Sequence, residues 1–379
     1  MLQEYTEGIR VDFSRTTATM NDTQNISVFS IKTGMHTYSN KAFHDVTKSI
    51  YSYVTPIIFG IGLIGNIISL KVFNSPAIKR MPASVYLSCL ALADSSVLVF
   101  YVLSEWIRRG LPWLLPDINF SILDVNGACQ IREYLSHLSR LLASWIIVAF
   151  TAERCLTVCY PLMTLQTNPK RVLFVMFIVC SLSMTYALVI NAPHSFGEFI
   201  VCSSRDGYRY AHFIAESMFA TLIFFLPFVL ITLCNGMILH SLYHRNRSGI
   251  RTNDDSNIRL EFIFILFAIS VFYISFHIPY FIVWCRLQII TNPASPARDN
   301  EFWYYWNGML FICRPIYYLN YCLNFVLYCI TGTTFRTELM KIVPFKRNRY
   351  SSVPTRARRS RMGASLKISV FLSPQTTNV

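Results

Sequence analysis

Apolar residues along this chain gather into long unbroken runs, not into the short alternations or one-sided stripes of a water-soluble core. Seven runs, near 50–74, 83–107, 125–159, 171–193, 211–243, 257–288 and 303–331, are long enough to cross a hydrocarbon layer about 30 Å thick as helices. Short polar connections separate them. Pro56, Pro193, Pro227, Pro279 and Pro315 fall inside the runs, where neighbouring helices can satisfy the carbonyls that a proline frees. Residues 1–48 are polar, with no short apolar stretch after basic residues, so the first helix is expected to act as its own insertion signal. The pattern predicts an all-α membrane protein in three parts. These are an outer tail over 1–48, a helical core over 49–343, and a disordered tail over 344–379.

Composition agrees, with 53% hydrophobic and 14% charged residues and a mean hydropathy of +0.39, more apolar surface than a water-soluble fold buries. The net charge of +14 would suit nucleic acid, yet no basic-aromatic binding motif is present. The basic residues sit between the runs instead. Lys71, Lys79, Arg80, Lys170, Arg171, Arg245, Arg247, Arg251 and Arg259 share one side with the basic C-terminal tail, whereas Arg108, Arg109, Asp117 and Asp124 mix signs on the other. The positive-inside rule places the first set in the cytoplasm and, with an odd number of spans, the N-terminus outside. The triplets beginning at Asn21, Asn25 and Asn119 are glycosylation acceptors on that outer side, while Asn246-Arg247-Ser248 falls inside and should be silent.

Within the third run, Cys129 and Arg154 are 25 residues apart, about 38 Å along a helix, one membrane with its headgroups. Glu153-Arg154-Cys155 closes that helix. The spacing and the triplet resemble the third helix of the rhodopsin-like (class A) G-protein-coupled receptors. Gly65-Asn66, Leu90-Ala91-Leu92-Ala93-Asp94, Pro227 after Phe224-Phe225-Leu226, and Pro279 after Phe276-His277-Ile278 extend the resemblance over roughly residues 50–343. The fold it implies is a seven-transmembrane helix bundle. Asn324-Phe325-Val326-Leu327-Tyr328, followed by Cys329 and by Gly332-Thr333-Thr334-Phe335-Arg336, resembles the invertebrate receptors for FMRFamide-like, myosuppressin and sex-peptide-type neuropeptides. Phe335 to Val343 reads as a short amphipathic eighth helix on the membrane surface.

The resemblance implies roles residue by residue. Cys129 would be joined to Cys202 in the second outer loop, and Cys285 and Cys313 leave a second bridge open. Arg154 would stay tethered to Glu153 at rest and turn to a heterotrimeric G protein when active. Asn324, Tyr328, Pro279 and His277, which stands where the family carries a tryptophan, would take part in the switch. Arg259 stands where an acidic lock partner is usual, so a weak resting lock is expected. An ionisable Asp94 at mid-membrane depth is costly without a partner, and matching receptors use this Asp to hold sodium. Asn66, Asn320 and Asn324 are its expected polar neighbours. No other cofactor or metal is implied. Phosphorylatable Ser and Thr in the tail would serve a receptor kinase and arrestin.

The ligand is narrowed by exclusion and by charge. The seventh run has no Lys for a retinal Schiff base, and Ser136 stands where amine receptors carry an Asp. Glu105, Arg132, Glu133, Arg140, Glu216, Arg314, Tyr280, Trp284, Trp306 and Tyr317 are expected to line one outer pocket with Ser136 and His277, because intramembrane charges mark ligand paths. Glu105 and Arg314 can pair there, whereas Arg132 and Glu133 are not expected to. An amidated peptide with a basic side chain would suit this pocket, read by Glu105. A lipid or other small molecule is the alternative. A transporter would need an internal repeat, and an enzyme a metal or nucleophile-base motif; the sequence has neither.

Overall fold

Hydrocarbon offers backbone amides no partner, so a chain that crosses it must satisfy them within each segment. The computed structural model describes the backbone of residues 20–79, 81–117, 128–160, 169–191, 209–247, 254–290 and 300–342. It describes the side chains of 39–79, 81–117, 128–160, 172–186, 210, 213–244, 263–290 and 302–342. Every regular element among the described residues is helical. α1 is Met20–Phe73; α2 (Pro82–Val97) runs through a π-helical turn, Leu98–Leu103, into α3 (Ser104–Arg109) and the short α4 (Leu111–Leu114). α5 is Ala128–Cys159 and α6 is Pro169–Asn191. α7 (Arg209–Ala220) passes through a second π-helical turn, Thr221–Phe225, into α8 (Leu226–Arg247). α9 is Asp254–Ile290, α10 Asn300–Cys322, α11 Asn324–Thr331 and α12 Thr333–Ile342.

Ser39–Phe73, Pro82–Leu114, Ala128–Cys159, Phe213–His244 and Ile263–Ile290 are each long and apolar enough to cross a membrane. Phe302–Cys322 with Asn324–Thr331 makes a sixth span bent by 49°, and α6 carries the shorter apolar stretch Val172–Tyr186. The result is a seven-helix bundle, with α12 as the short extra helix. α5 packs against α2, α6, α8 and α9, and α10 closes the ring onto α1. Ile57, Ile61 and Ile64 on α1 are apolar yet about 60% exposed, as suits a face turned to lipid.

The chain departs from its sequence pattern at three places. Helix α1 starts at Met20, thirty residues before the expected 50. Its N-terminal turns are polar in sequence but seat Phe43 on Tyr305 at 5.7 Å between ring centroids, and His44 against Trp303, Tyr304 and Phe311. A Cβ on Gly308 would come within 2.9 Å of the Phe43 ring, so the glycine lets α10 approach. A hydropathy pattern cannot register that aromatic contact.

The second departure is the π-helical turn before Pro227. Proline has no N–H, so the Ile223 carbonyl four residues earlier loses its helical donor. Ser144 Oγ of α5 donates to it at 3.3 Å and the Tyr273 hydroxyl of α9 also donates to it. The third is the bend of 49° at Leu323, which forms without a proline at the break. Asn66 Nδ2 donates to the Tyr321 carbonyl at 2.9 Å, and Asn324 Nδ2 to Asp94 Oδ2 at 2.6 Å. Side chains inserted at a backbone ladder are a recognised cause of a kink. Gly65 admits Phe325, since a Cβ there would meet the Phe325 Cβ at 3.0 Å. The α12 helix is anchored by buried Phe335 against Phe73 and Tyr328. Lys341 hydrogen-bonds Glu338 and so holds that carboxyl below its ordinary value.

Candidate functional site

Glu105 opens the last turns of the second span, two residues after the π-helical segment, and is 9% exposed. Its carboxylate is the hub of a charge cluster. Arg109 Nε donates to Oε2 at 2.6 Å and Arg108 lies 3.5 Å away, both from its own helix face at i+4 and i+3. Arg132 of α5 and Arg314 of α10 reach it at 3.7 and 3.9 Å. Four guanidiniums thus converge on one acid. The expected Glu105–Arg314 pair is present. Arg132 and Glu133 also meet, at 2.5 Å, contrary to the expectation for consecutive residues. Their Cβ atoms diverge around the helix, but an arginine side chain is long enough to curl back along it.

One and two turns deeper on α5, His137 Nε2 lies 3.3 Å from Glu216 Oε1 of α7, while His137 Nδ1 lies 2.7 Å from the Glu133 carbonyl. Arg140 is nine-tenths buried. It donates to the Ser136 carbonyl and hydroxyl at 3.1 and 3.3 Å. Its guanidinium lies between the rings of Tyr101 and Phe219, 4.2 and 4.6 Å from their centroids. No carboxylate lies within ion-pair distance among the described residues, so Arg140 is a buried cation on neutral acceptors and aromatic faces. Cation–π contact offsets part of the cost of burial, on the order of 2 kcal/mol when desolvated.

Beneath it is an aromatic floor. Tyr280 stacks on Tyr317 at 4.7 Å, Tyr101 and Tyr280 hydroxyls lie 3.4 Å apart, and His277 packs edge-on to Tyr317 at 4.8 Å. His277 Nδ1 is 2.7 Å from the Tyr273 carbonyl, an acceptor only, so Nδ1 carries the proton. Nε2 is then an acceptor, buried with no partner among the described residues. Trp284 lies parallel to Phe281 at 6.3 Å. Trp306 packs instead with Val283, Leu310 and Cys313 between α9 and α10.

Deeper still, Asp94 is 1% exposed and bonds Asn324. Asn66, expected at Asp94, turns its amide to Tyr321 instead, and Asn320 is buried without a hydrogen bond to Asp94. Asp94 Oδ1, Asn66 Oδ1 and the Tyr328 hydroxyl are buried with no partner among the described residues. That set is all oxygen and fits a small hard cation. At the far end of α5, Arg154 Nη2 lies 3.4 Å from Glu153 Oε2, and its guanidinium lies over Phe150 at 5.4 Å. Asn235 of α8 is buried.

The family follows from the whole constellation. Residues 65–328 match the 7 transmembrane receptor (rhodopsin family) domain. The chain belongs to that family. Among curated relatives, the thyrotropin-releasing hormone receptors of Bos taurus and Homo sapiens are each 26% identical over 325 residues, covering 76% of this chain and 76% of theirs. A purinoceptor of Rattus norvegicus is 24% identical over 299 residues, covering 75% of this chain and 74% of its own. The protein is therefore a G-protein-coupled receptor of the plasma membrane, with several membrane spans, an extracellular ligand and a heterotrimeric G protein as partners.

Several expectations meet the receptor's structure only in part. Cys129 is disulfide-bonded, while Cys202 lies outside the described residues. Cys285 and Cys313 are free thiols, so the second bridge is absent. Asn119 lies outside the described residues, as do the side chains of Asn21, Asn25 and Arg259. Sequence reasoning missed His137, Tyr101, Phe219 and the arginines on Glu105's own helix. The signal was there for two of these contacts, since Glu105–Arg109 and Glu133–His137 are both i,i+4 pairs.

Proposed function

We propose that this receptor is activated by a neuropeptide that presents a hydrogen-bond-accepting group, carbonyl or carboxylate, to Arg140. The observation that carries this is a buried guanidinium with neutral partners above an aromatic floor. Such a cation gains most from an acceptor-rich ligand. Glu105 is engaged by four guanidiniums, which argues against its reading a basic side chain of the ligand. Its role in this proposal is to hold Arg132 and Arg314 in place. The relatives named for a hormone, and the Asn324-Phe325-x-x-Tyr328-Cys329 motif with its likeness to invertebrate neuropeptide receptors, support a peptide.

In the same reading, a Cys129–Cys202 bridge pins the second outer loop over the pocket; the nine other cysteines are free, which supports it. The N-terminus is outside, with glycans on Asn21, Asn25 and Asn119. His277 and Tyr317 pass ligand contact toward Pro279, Asn324 and Tyr328, sodium at Asp94 favours the resting state, and Arg154 engages the G protein. The C-terminal tail recruits a receptor kinase and arrestin.

The test is a library of neuropeptides, each as amide and as free acid, applied to wild type and to Arg140→Gln, with nucleotide exchange as the readout. An agonist whose potency falls at least tenfold in the variant supports the reading, and an agonist indifferent to Arg140 removes it. A purine ligand is the second reading, because the same guanidinium suits an anion and one group of relatives is named purinoceptor. Purine nucleotides added to the same assay distinguish the two.

A further inference from the structure

The last turns of α5 and the outer face of α8 enclose an open groove of about 790 Å³ that no step of ligand binding or coupling uses. Its floor is apolar. Leu233 and Met237 are 60% and 46% exposed, whereas Ile231 and Ile238, on the other side of the helix, are 0% and 3% exposed. The groove therefore faces away from the bundle core, within the span Phe213–His244. Gly236 makes the hollow, since a Cβ there would meet nothing within 4 Å. Cys159 closes the α5 side, its thiol 3.6 Å from the Met237 carbonyl.

One end of this apolar trough is polar. His240, Ser241 and His244 line it with Tyr160, and the two imidazoles lie 5.8 Å apart at 63°. They occupy the final turns of the span, at the depth of lipid headgroups. Arg245 and Arg247 follow at once in the sequence. A trough for a hydrocarbon chain, ending in two imidazoles just before basic residues of the sequence, matches the two halves of a lipid that carries negative charge. Basic pockets between membrane helices are known to take such headgroups.

From this geometry we infer that the groove between α5 and α8 binds one anionic phospholipid, with an acyl chain along Leu233, Gly236 and Met237 and its phosphate at His240 and His244. The site is independent of which ligand the outer pocket takes. Because it bridges the Arg154-bearing helix and α8, occupancy would favour one spacing of those two helices over another.

The test uses full-length receptor in nanodiscs of phosphatidylcholine with and without phosphatidylglycerol. Native mass spectrometry counts retained lipid, and peptide mapping follows maleimide labelling of Cys159. Wild type should retain phosphatidylglycerol over phosphatidylcholine and label more slowly at Cys159 when it is present. Gly236→Trp should fill the trough, and His240→Ala with His244→Ala should remove headgroup donors. Each should lower the preference about tenfold, the scale of one hydrogen bond to a charged group, with the thermal midpoint in pure phosphatidylcholine unchanged. Equal retention of both lipids by wild type, a preference that survives both variants, or a sterol that displaces the phospholipid would overturn the inference. Should Gly236→Trp fail to fold, Gly236→Leu and the histidine pair give the same reading.

Discussion

At the Glu105 end of the bundle, charges join helices. One carboxylate gathers guanidiniums from α3, α5 and α10, and His137 with Glu216 links α5 to α7. At the Arg154 end the ion pairs described among these residues lie within single helices, Arg154 with Glu153 at 3.4 Å and Lys341 with Glu338. Cross-helix bonds in the deeper half run through amides, hydroxyls, carbonyls and the Asp94 carboxylate, as at Asn66–Tyr321, Asp94–Asn324 and Tyr273–Ile223. Breaking a buried ion pair leaves an uncompensated charge and costs about 3–5 kcal/mol, whereas a neutral hydrogen bond contributes about 1 kcal/mol. The Glu105 end is thus fixed by contacts too costly to exchange. The described bonds that join helices in the deeper half are weaker one by one, so that half can exchange them singly.

Arg154→Ala should show the largest effect, abolishing agonist-driven nucleotide exchange while agonist affinity stays within a few-fold. Full exchange in that variant would mean that the two ends do not divide binding from coupling. Glu105→Gln comes next. It leaves several guanidiniums without their acid, so the receptor should lose about 3 kcal/mol of stability, read as a lower thermal midpoint and poor surface expression. An arginine-containing agonist and its citrulline analogue should weaken equally. A selective loss for the arginine peptide would return Glu105 to ligand reading.

Cys129→Ser should reduce surface expression and agonist affinity, in keeping with a bridge that is worth about 2–5 kcal/mol in a small domain. Cys285→Ser, the control at a free thiol, should do neither. Tyr273→Phe removes one neutral hydrogen bond, about 1 kcal/mol, and should shift the basal level of nucleotide exchange about fivefold without changing expression. Glu153→Gln should have the smallest effect, a rise in basal exchange of a few-fold, because the pair joins neighbours on one helix 3.4 Å apart and glutamine still offers Arg154 an acceptor. A rise as large as that of Tyr273→Phe would show that Glu153 restrains more than its neighbour.

The sequence made the spans legible because hydrocarbon imposes one rule on every residue of a run, and the ends of α5 and α12 fell near where apolar and polar stretches meet. It was silent on the N-terminal half of α1, whose Phe43 and His44 pack by aromatic shape and not by hydropathy. Charged pocket residues were findable one at a time, since a charge inside a span is rare. Their partners were not, because side chains as long as Arg132 or Arg314 choose between acids in three dimensions. Asn66 illustrates the same limit. Its type and depth marked it as polar and inward, but only the bend at Leu323 decides that its amide meets a carbonyl in place of Asp94.

The Ile223 carbonyl has a consequence for timing. Proline cannot donate in any conformation, so this oxygen draws its donors from α5 and α9, at Ser144 and Tyr273, and not from its own helix. A displacement of α9 that takes the Tyr273 hydroxyl away leaves the carbonyl with Ser144. That loss falls on the departure from the arrangement described and not on the return to it. A receptor with phenylalanine there should therefore leave this arrangement about fivefold sooner, the scale of one neutral hydrogen bond, and return to it at an unchanged rate.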